Sequence, residues 1–277
     1  MIAPAHQWAI QIDCTNVCNR ACSNCTRLVG HGKPFFMPPE QFARAVEALR
    51  DFPLESPPSK ASHLKLVGIL GGEPLLHPRF AELVEILAAA VPHRHRGLWT
   101  SLDWEASDYG ALIRESFPAY GIHNNRHDRQ ESLHSPVLVA VADVVTDPEV
   151  RQAVIDDCWL QQRWSSSITP KGFFFCEVAG ALDWVFGGPG GLPVEPGCWE
   201  RPLGDFREQV ARWCPQCGIP LKLKGRPATE ERDDVSETNW KALKSLGSKR
   251  LRKCVPYSPA EHDKESRPWL YRCESSR

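Results

Sequence analysis

The cysteines of this sequence are the residues most able to do chemistry. Three of them form a C-x3-C-x2-C loop: Cys18, Cys22 and Cys25. Three thiolates in one loop can bind three irons of a [4Fe–4S] cluster, which leaves the fourth iron without a protein ligand and able to act as a Lewis acid. Zinc is the alternative, because it takes four ligands in a closed shell and Cys14 or His31 could supply the fourth. The spacing alone leaves both open.

A second group of cysteines lies in the second half of the chain. Its members are Cys158, Cys176, Cys214 and Cys217. Residues 164–175 have the pattern of a β-hairpin around a Thr-Pro-Lys-Gly turn, and the last two cysteines form a C-x2-C motif. The hairpin and the distant motif can bring four thiols to one metal site. A C-x2-C motif is equally typical of half a zinc knuckle, so zinc is again the alternative.

Alternating strand and helix patterns must position these cysteines. Apolar runs and period-two alternation predict strands at 8–12, 64–70, 97–101 and 137–145. Helical spacing and prolines at helix starts predict helices at 39–49, 78–91, 112–117 and 148–158. The first cysteine loop follows the first strand. Alternating β and α units indicate a parallel sheet with right-handed crossovers.

A second motif follows the predicted strand at 64–70. It reads Gly71-Gly72-Glu73-Pro74 and precedes a predicted helix. Together with the cysteine loop after the first strand, this motif resembles the radical SAM superfamily. The resemblance implies an α/β fold, a partial (β/α)6 TIM-like barrel, followed by a small C-terminal domain that contains a hairpin and an auxiliary cluster.

The resemblance also implies the cofactors. The three-cysteine loop would bind a [4Fe–4S] cluster whose open iron chelates S-adenosylmethionine, and the motif at 71–74 would bind this cofactor, with both glycines and Glu73 at its amino group. Asn24 stands where the family often has an aromatic residue beside the adenine, which predicts altered adenine contacts. Such enzymes cleave S-adenosylmethionine to methionine and a 5′-deoxyadenosyl radical. The implied partner is a reductant such as flavodoxin or ferredoxin.

The second cysteine group resembles the Twitch domain, the shortened form of the SPASM domain of radical SAM enzymes. This resemblance implies one auxiliary [4Fe–4S] cluster on all four thiols, with Cys198 as a substitute for one of them, and leaves Cys14, Cys254 and Cys273 as spares. A fully ligated cluster suits electron transfer and net oxidation. The cysteine order is similar to that of inosamine dehydrogenases, which oxidise a ring alcohol to a ketone. We therefore expect a small sugar-like or alcohol-like substrate, with a peptide or protein side chain as the alternative.

A polar segment before the predicted strand at 137–145 is the candidate substrate region. It contains His123 and His127. Polar residues near the carboxyl ends of barrel strands often meet ligand, and a histidine can accept a proton near neutral pH. We hypothesise that one of these two histidines contacts the substrate. A solvated loop is the alternative interpretation.

Composition excludes several classes of protein. The 277 residues carry a net charge of −1, which argues against a highly charged disordered chain and against a nucleic-acid-binding surface. No apolar run approaches the roughly 20 residues of a membrane helix, and no secretory signal is evident. Clustered thiols fit a reducing compartment, so we expect a cytoplasmic location.

The chain divides into three predicted segments. Residues 1–157 form the radical SAM core, 158–220 the auxiliary-cluster domain and 221–277 a basic extension with 14 Lys and Arg against 9 Asp and Glu. The KRLRK run at 249–253 is interpreted as solvated surface. A non-catalytic zinc or iron–sulfur module acting through this tail is the rival function.

Overall fold

A six-stranded sheet lies at the centre of the computed structural model, which describes residues 1–55, 64–127 and 132–258. The strand order is β4-β3-β2-β1-β6-β7. Every neighbouring pair is parallel except β6 and β7, which form the hairpin at the edge. The chain is therefore a mixed α/β protein with a mostly parallel sheet, as predicted.

The strands and helices of the described residues have the following bounds. The central strands are β1 (Ala9–Thr15), β2 (Leu66–Gly71), β3 (Arg96–Thr100), β4 (Ile122–Asn124), β6 (Ser165–Thr169) and β7 (Gly172–Phe174). The short outer strands are β5 (Leu133–His134), β8 (Arg226–Pro227), β9 (Asp233–Val235) and β10 (Cys254–Pro256). The helices are α1 (Pro39–Ala48), α2 (Phe80–Ala90), α3 (Gly110–Ser116), α4 (Val141–Val144), α5 (Pro148–Asp156), α6 (Trp159–Arg163), α7 (Glu177–Val185), α8 (Arg207–Trp213) and α9 (Glu237–Ser245).

The first three strands and the helices that follow them confirm the predicted β-loop-α pattern. All seven residues of β1 are buried, since this strand has a neighbour on each side and lies inside the sheet. Helix α1 begins with Pro39 in its first position, where the missing N–H costs no hydrogen bond. Helix α2 buries Phe80, Leu83, Val84 and Leu87 on one face, as its spacing predicts.

The predicted strand at 137–145 is wrong. Residues 137–139 form a turn, and Val141–Val144 form the short helix α4. The run is apolar because it is buried, and its backbone bonds to the later chain: the Gly218 amide donates to the Val137 carbonyl at 2.8 Å, and the Ser236 amide donates to the Leu138 carbonyl at 3.2 Å. An apolar run reports burial but does not by itself distinguish a strand from other buried backbone.

The predicted hairpin is confirmed, and it belongs to the central sheet. Strand β6 pairs in parallel with β1, on the side opposite to β2. Strands β1 to β4 therefore lie side by side in the order of the sequence, and the hairpin of β6 and β7 extends the sheet on the other side of β1. The division of the chain at residue 157 stays a prediction.

The last described segment packs on the first cysteine loop. This segment contains β8, β9, α9 and β10. The prediction that the run at 249–253 is solvated surface is wrong for Arg250, which is 7% exposed and paired with Asp233. Residues 259–277, including Cys273, lie outside the described residues. Within the described residues, no helix combines the length and the apolar character needed to cross a membrane.

Candidate cluster sites and cofactor cavity

An open cavity lies where the carboxyl ends of β1 to β4 meet. Parallel strands present these ends at the same edge of the sheet, where α/β proteins bind their ligands. The cavity measures about 640 Å³ including the open solvent at its mouth. Its lining includes Cys18, Arg20, Cys22, Cys25, Arg27, Gly71, Gly72, Thr100, Ser101, Asn125, His127 and His134.

The three cysteines of the first loop all line this cavity and are half-buried. Burial raises the pKa of Cys18, and it raises the pKa of Cys22 to about 11. The backbone amide of Arg20 donates to the Cys18 Sγ at 3.4 Å, which supports negative charge on that sulfur. Thiols with raised pKa values need a bound cation to become thiolates at neutral pH, which suits a metal cluster open to the cavity on one side.

The chain packs so closely between the end of β2 and residues 15–17, which lead into the cysteine loop, that positions 71 and 72 must be glycine. A Cβ atom on Gly71 would lie 2.4 Å from the Thr15 carbonyl oxygen, and one on Gly72 would lie 2.3 Å from the Val17 carbonyl oxygen. The Gly72 amide donates to the Thr15 carbonyl at 2.7 Å. The two glycines therefore hold the first residues of the cysteine loop in place, and their own backbone lines the cavity.

Replacing Gly72 with alanine should displace this contact, because a backbone oxygen cannot retreat as a flexible side chain can. We expect Gly72→Ala to lower the free energy of unfolding by about 1–3 kcal/mol. Urea unfolding measures it. The matched control is Gly204→Ala, whose new Cβ atom meets nothing within 4 Å and should change stability by less than about 0.5 kcal/mol. Equal stability of the two variants would contradict the packing argument.

The Glu73 carboxylate is fully engaged with protein donors. Its Oε1 accepts from the Leu75 amide at 3.1 Å and the Thr100 hydroxyl at 2.7 Å, and its Oε2 accepts from the amide and hydroxyl of Ser101 at 2.7 and 2.8 Å. A carboxylate offers about four acceptor positions, so these bonds fill it. Neither Glu73 nor Pro74 is among the residues that line the cavity. Glu73 instead holds Thr100 and Ser101, which do line it.

Asn24 binds the last described segment instead of the cavity. Its side chain donates to Asp234 Oδ2 at 2.8 Å and accepts from the Asp234 amide at 2.8 Å, and its own amide donates to Asp233 Oδ1 at 2.6 Å. Its φ of 49° is left-handed, a conformation that asparagine tolerates better than most residues. Asn24 is not among the residues that line the cavity, and its place beside the adenine stays a prediction.

Replacing Asn24 with alanine should loosen the loop from the last segment. The Asn24→Ala variant leaves buried partners without hydrogen bonds and places alanine at a left-handed position, so we expect a loss of about 2–4 kcal/mol in unfolding free energy. Urea unfolding and iron content measure the effect. Asn19→Ala, at an exposed position of the same loop, is the control and should match the wild type. Equal losses in both variants would contradict the proposed anchoring.

The four cysteines of the second group line one apolar cavity of about 380 Å³: Cys158, Cys176, Cys214 and Cys217. Cys176 precedes α7, and burial raises its pKa to about 12 although the Val178 and Ala179 amides act to lower it. Cys198 is buried but is not among the residues that line this cavity. The hairpin and the C-x2-C motif thus converge as predicted, and the structure places Cys198 apart from them.

The spacing of the thiols bears on the choice between zinc and iron–sulfur. Two thiolates bound to one zinc ion at about 2.3 Å cannot be more than about 4.6 Å apart. Within 1–55, 64–127 and 132–258, the one group of three or more metal-binding side chains with ligand atoms all within 4.8 Å is His31, Asp233 and Cys254. Neither cysteine group has the compact spacing of a zinc site. A [4Fe–4S] cluster distributes its ligands over separate irons and does not require that compact spacing.

The compact group at His31, Asp233 and Cys254 is an ion network. Asp233 Oδ2 pairs with His31 Nε2 at 3.1 Å, and Oδ1 accepts from Arg250 Nη2 at 3.2 Å. Arg250 Nη2 also donates to the carbonyls of Ala21 and Cys22 at 3.0 and 2.8 Å. A guanidinium already neutralises this carboxylate and disfavours a second cation there. Cys254 therefore stays a spare thiol at the back of the cysteine loop.

The similarity of this chain to known proteins lies among solved structures. No protein-family model matches this sequence. No curated protein matches it either. Among solved structures, BtrN in complex with AdoMet and 2-DOIA is similar at 16% identity, with a TM-score of 0.44, over 76% of this chain and 92% of the BtrN chain. A likeness at this level does not extend to activity or ligands.

The structure separates the two candidate histidines. His127 lines the cavity, where its ring meets the His134 ring with centroids 4.3 Å apart. His123 does not line it and instead stacks on the Trp99 ring at 4.9 Å, with Trp8 at its edge. His123 lies within the edge strand β4, whereas His127 lies three residues beyond the end of that strand, so the two rings have different surroundings.

His134 is a cavity residue that the sequence analysis did not select. Its Nδ1 lies 2.8 Å from the Ser23 carbonyl, so Nδ1 carries the proton and Nε2 is left as the acceptor. Burial lowers the pKa of His134, which keeps the ring neutral at pH 7. Thr100 and Ser101 were also missed, since only the end of β3 indicated their position, and so was Arg27, which lies in the loop two residues after Cys25.

Proposed function

We propose that this protein is a radical SAM enzyme that oxidises a small polar molecule. The observation that carries the proposal is the pairing of two different thiol sites: three cysteines that face an open cavity at the strand ends, and four that line a separate apolar cavity. Three thiols leave one iron of a [4Fe–4S] cluster without a protein ligand, which suits a reactive cluster, whereas four thiols can ligate every iron, which suits electron transfer.

The chain's own residues have distinct tasks in this proposal. Cys18, Cys22 and Cys25 hold the reactive cluster, which when bound supplies the electron that cleaves S-adenosylmethionine and generates a 5′-deoxyadenosyl radical. The backbone of Gly71 and Gly72 lies open to the same cavity and can accept from the ammonium group of that cofactor. The reductant we propose is a flavodoxin or ferredoxin.

The substrate proposed for this site carries hydroxyl groups. The cavity presents Ser101, Asn125, His127 and His134, which donate and accept hydrogen bonds without adding a carboxylate. His134 Nε2 can accept the proton of a substrate hydroxyl when the carbon loses hydrogen and an electron passes to the auxiliary cluster. A secondary alcohol would thus become a ketone with the loss of two protons and two electrons in all: one hydrogen atom to the 5′-deoxyadenosyl radical, one proton to His134 and one electron to the auxiliary cluster.

Replacing His127 with alanine should slow oxidation of the substrate without removing the clusters. We expect His127→Ala to lower substrate turnover by about a hundredfold, the scale of losing a positioned polar group, with wild-type iron content. Cleavage of S-adenosylmethionine in the absence of substrate should persist. His93→Ala, at an exposed position before β3, is the control. Wild-type turnover in His127→Ala would remove this residue from the substrate site.

The experiment that tests the proposed function uses anaerobically reconstituted protein, dithionite and S-adenosylmethionine. A panel of alcohols and sugars deuterated at the carbinol carbon is added, and 5′-deoxyadenosine is measured by mass spectrometry. Deuterium transfer into 5′-deoxyadenosine, with a ketone product, is the expected result for at least one alcohol. No 5′-deoxyadenosine from protein that carries both clusters would contradict the proposal.

A further inference from the structure

The last described segment concentrates the positive charge of the chain. Residues 221–258 contain 10 Lys and Arg against 5 Asp and Glu, whereas residues 1–220 contain 19 against 25 and residues 259–277 contain four of each. A chain that is negatively charged over most of its length therefore has one strongly basic segment. Charge separated in this way creates a positive region that attracts negatively charged partners.

Three exposed cations of this segment have no carboxylate partner among the residues that the structure describes. They are Arg232, Lys249 and Arg252, and we call them the basic patch. Their neighbours differ, because Lys253 pairs with Glu231 and the buried Arg250 pairs with Asp233. The charges of the basic patch are therefore available to a partner outside the molecule.

Two cations of the basic patch lie on a short 3-10 helix, Lys249–Lys253. Side chains three residues apart in a 3-10 helix lie one above the other, so Lys249 and Arg252 share a face and Arg250 lies on another. Arg250 Nη2 donates to the Cys22 carbonyl at 2.8 Å. The buried arginine thus attaches this helix to the cysteine loop, and the two exposed cations lie one and two residues from the attachment.

Arg232 reaches the same loop from the residue before β9. Its backbone amide donates to the Ser23 hydroxyl at 3.0 Å. Strands β9 and β10 pair in parallel with Asp233 opposite Cys254, so Arg232 lies next to Lys253 at the end of the 3-10 helix. All three cations of the basic patch therefore lie beside the cysteine loop, and none is among the described residues that line the cavity.

The position of the basic patch suits delivery of an electron. The cofactor and the substrate occupy the cavity side of the cysteine loop in the proposed function, so a protein reductant needs another approach. The helix that displays Lys249 and Arg252 bonds directly to the carbonyl of Cys22, one of the proposed cluster ligands. Electron transfer between proteins requires a short separation, and complementary charge speeds the encounter and fixes its orientation.

We propose that the basic patch is the docking surface for an acidic electron-carrier protein that reduces the cluster of the cysteine loop. This inference rests on the proposed function, which needs a one-electron reductant, and it specifies where a flavodoxin binds. Carboxylates around the redox centre of the carrier pair with Arg232, Lys249 and Arg252. One electron passes from carrier to cluster, so the carrier is oxidised, the cluster is reduced and no covalent bond forms or breaks.

The test follows reduction of the reconstituted protein by reduced flavodoxin with rapid-freeze electron paramagnetic resonance. The patch variant Arg232→Glu/Lys249→Glu/Arg252→Glu should lower the second-order rate constant by about tenfold or more at low ionic strength, the lower end of the range for electrostatic steering. The difference should shrink at high salt, which screens exposed charges. Photoreduced deazariboflavin, a small uncharged reductant, should reduce wild type and variant at equal rates.

The matched control reverses three exposed cations on other elements: Arg44→Glu/Arg163→Glu/Arg207→Glu. It has the same net charge as the patch variant, and flavodoxin should reduce it clearly faster, because charges at the docking surface dominate the encounter. Iron content and circular dichroism establish that each variant is folded and loaded.

Equal rates in wild type and patch variant would overturn the inference, as would equal losses in the two triple variants. Wild-type protein that deazariboflavin reduces and flavodoxin does not would also overturn it. So would weaker binding of the patch variant to duplex DNA or anionic vesicles with unchanged reduction by flavodoxin, since the basic patch would then serve another partner. Protein that is reduced but forms no 5′-deoxyadenosine would instead contradict the proposed function.

Discussion

Cys18→Ala should abolish formation of 5′-deoxyadenosine, by more than about a thousandfold, the scale seen when a central catalytic group is removed. Cys18, Cys22 and Cys25 all line the open cavity, and no fourth cysteine is among its described lining residues. With two thiols left, the reactive cluster loses a ligand that no nearby thiol can replace. The protein should lose about four irons per chain and keep the auxiliary cluster.

The matched control for this prediction is Cys14→Ala. Cys14 lies on β1, is fully buried in the hydrophobic core and is not among the residues that line either thiol cavity. Its variant should keep the wild-type iron content and the wild-type rate of 5′-deoxyadenosine formation. If Cys18→Ala cleaved S-adenosylmethionine at the same rate as Cys14→Ala, the loop would not hold the reactive cluster.

The Cys176→Ala/Cys217→Ala double variant should separate the two half-reactions. Both thiols line the apolar cavity on different elements, so their loss removes two ligands of the auxiliary cluster. We expect loss of about four irons, and loss of substrate oxidation by more than about a hundredfold, because the substrate radical no longer has an electron acceptor. Cleavage of S-adenosylmethionine should persist, since the open site is intact.

Cys198→Ala is the control for the auxiliary site, as Cys198 is buried but lies outside the cavity lining. It should keep about eight irons per chain and oxidise substrate at the wild-type rate. Substrate oxidation that survives in the double variant would contradict the electron-transfer role. Loss of iron in Cys198→Ala would instead place that thiol among the ligands.

The elements that carry the cysteine loop could be predicted because local patterns and tertiary structure agree there. Strand β2 is a continuous apolar run and β1 alternates apolar and polar residues, both inside the sheet, and the helices after them show one apolar face. The same reasoning gave a wrong prediction for the segment at 137–145. It is equally apolar, but the Val137 and Leu138 carbonyls accept from Gly218 and Ser236, 81 and 98 residues later, which no local pattern reveals.

The candidate site was predictable in its thiols and much less so in its polar residues. Spacing brought out both cysteine groups, because ligands must cluster to bind one metal centre. Asn24 bonds to Asp234 and Arg250 bonds to the Cys22 carbonyl, so both side chains join the loop to the last segment across more than 200 residues, which no local pattern reveals. Arg27 carried no motif at all. It lines the cavity beside two carboxylates that only folding brings to it.

Iron, acid-labile sulfide and zinc per chain in anaerobically reconstituted wild-type protein test the central claim most directly. Two [4Fe–4S] clusters require about eight irons and about eight sulfides, with no stoichiometric zinc. About four irons with one zinc would contradict the auxiliary cluster. Stoichiometric zinc without sulfide would contradict the account as a whole.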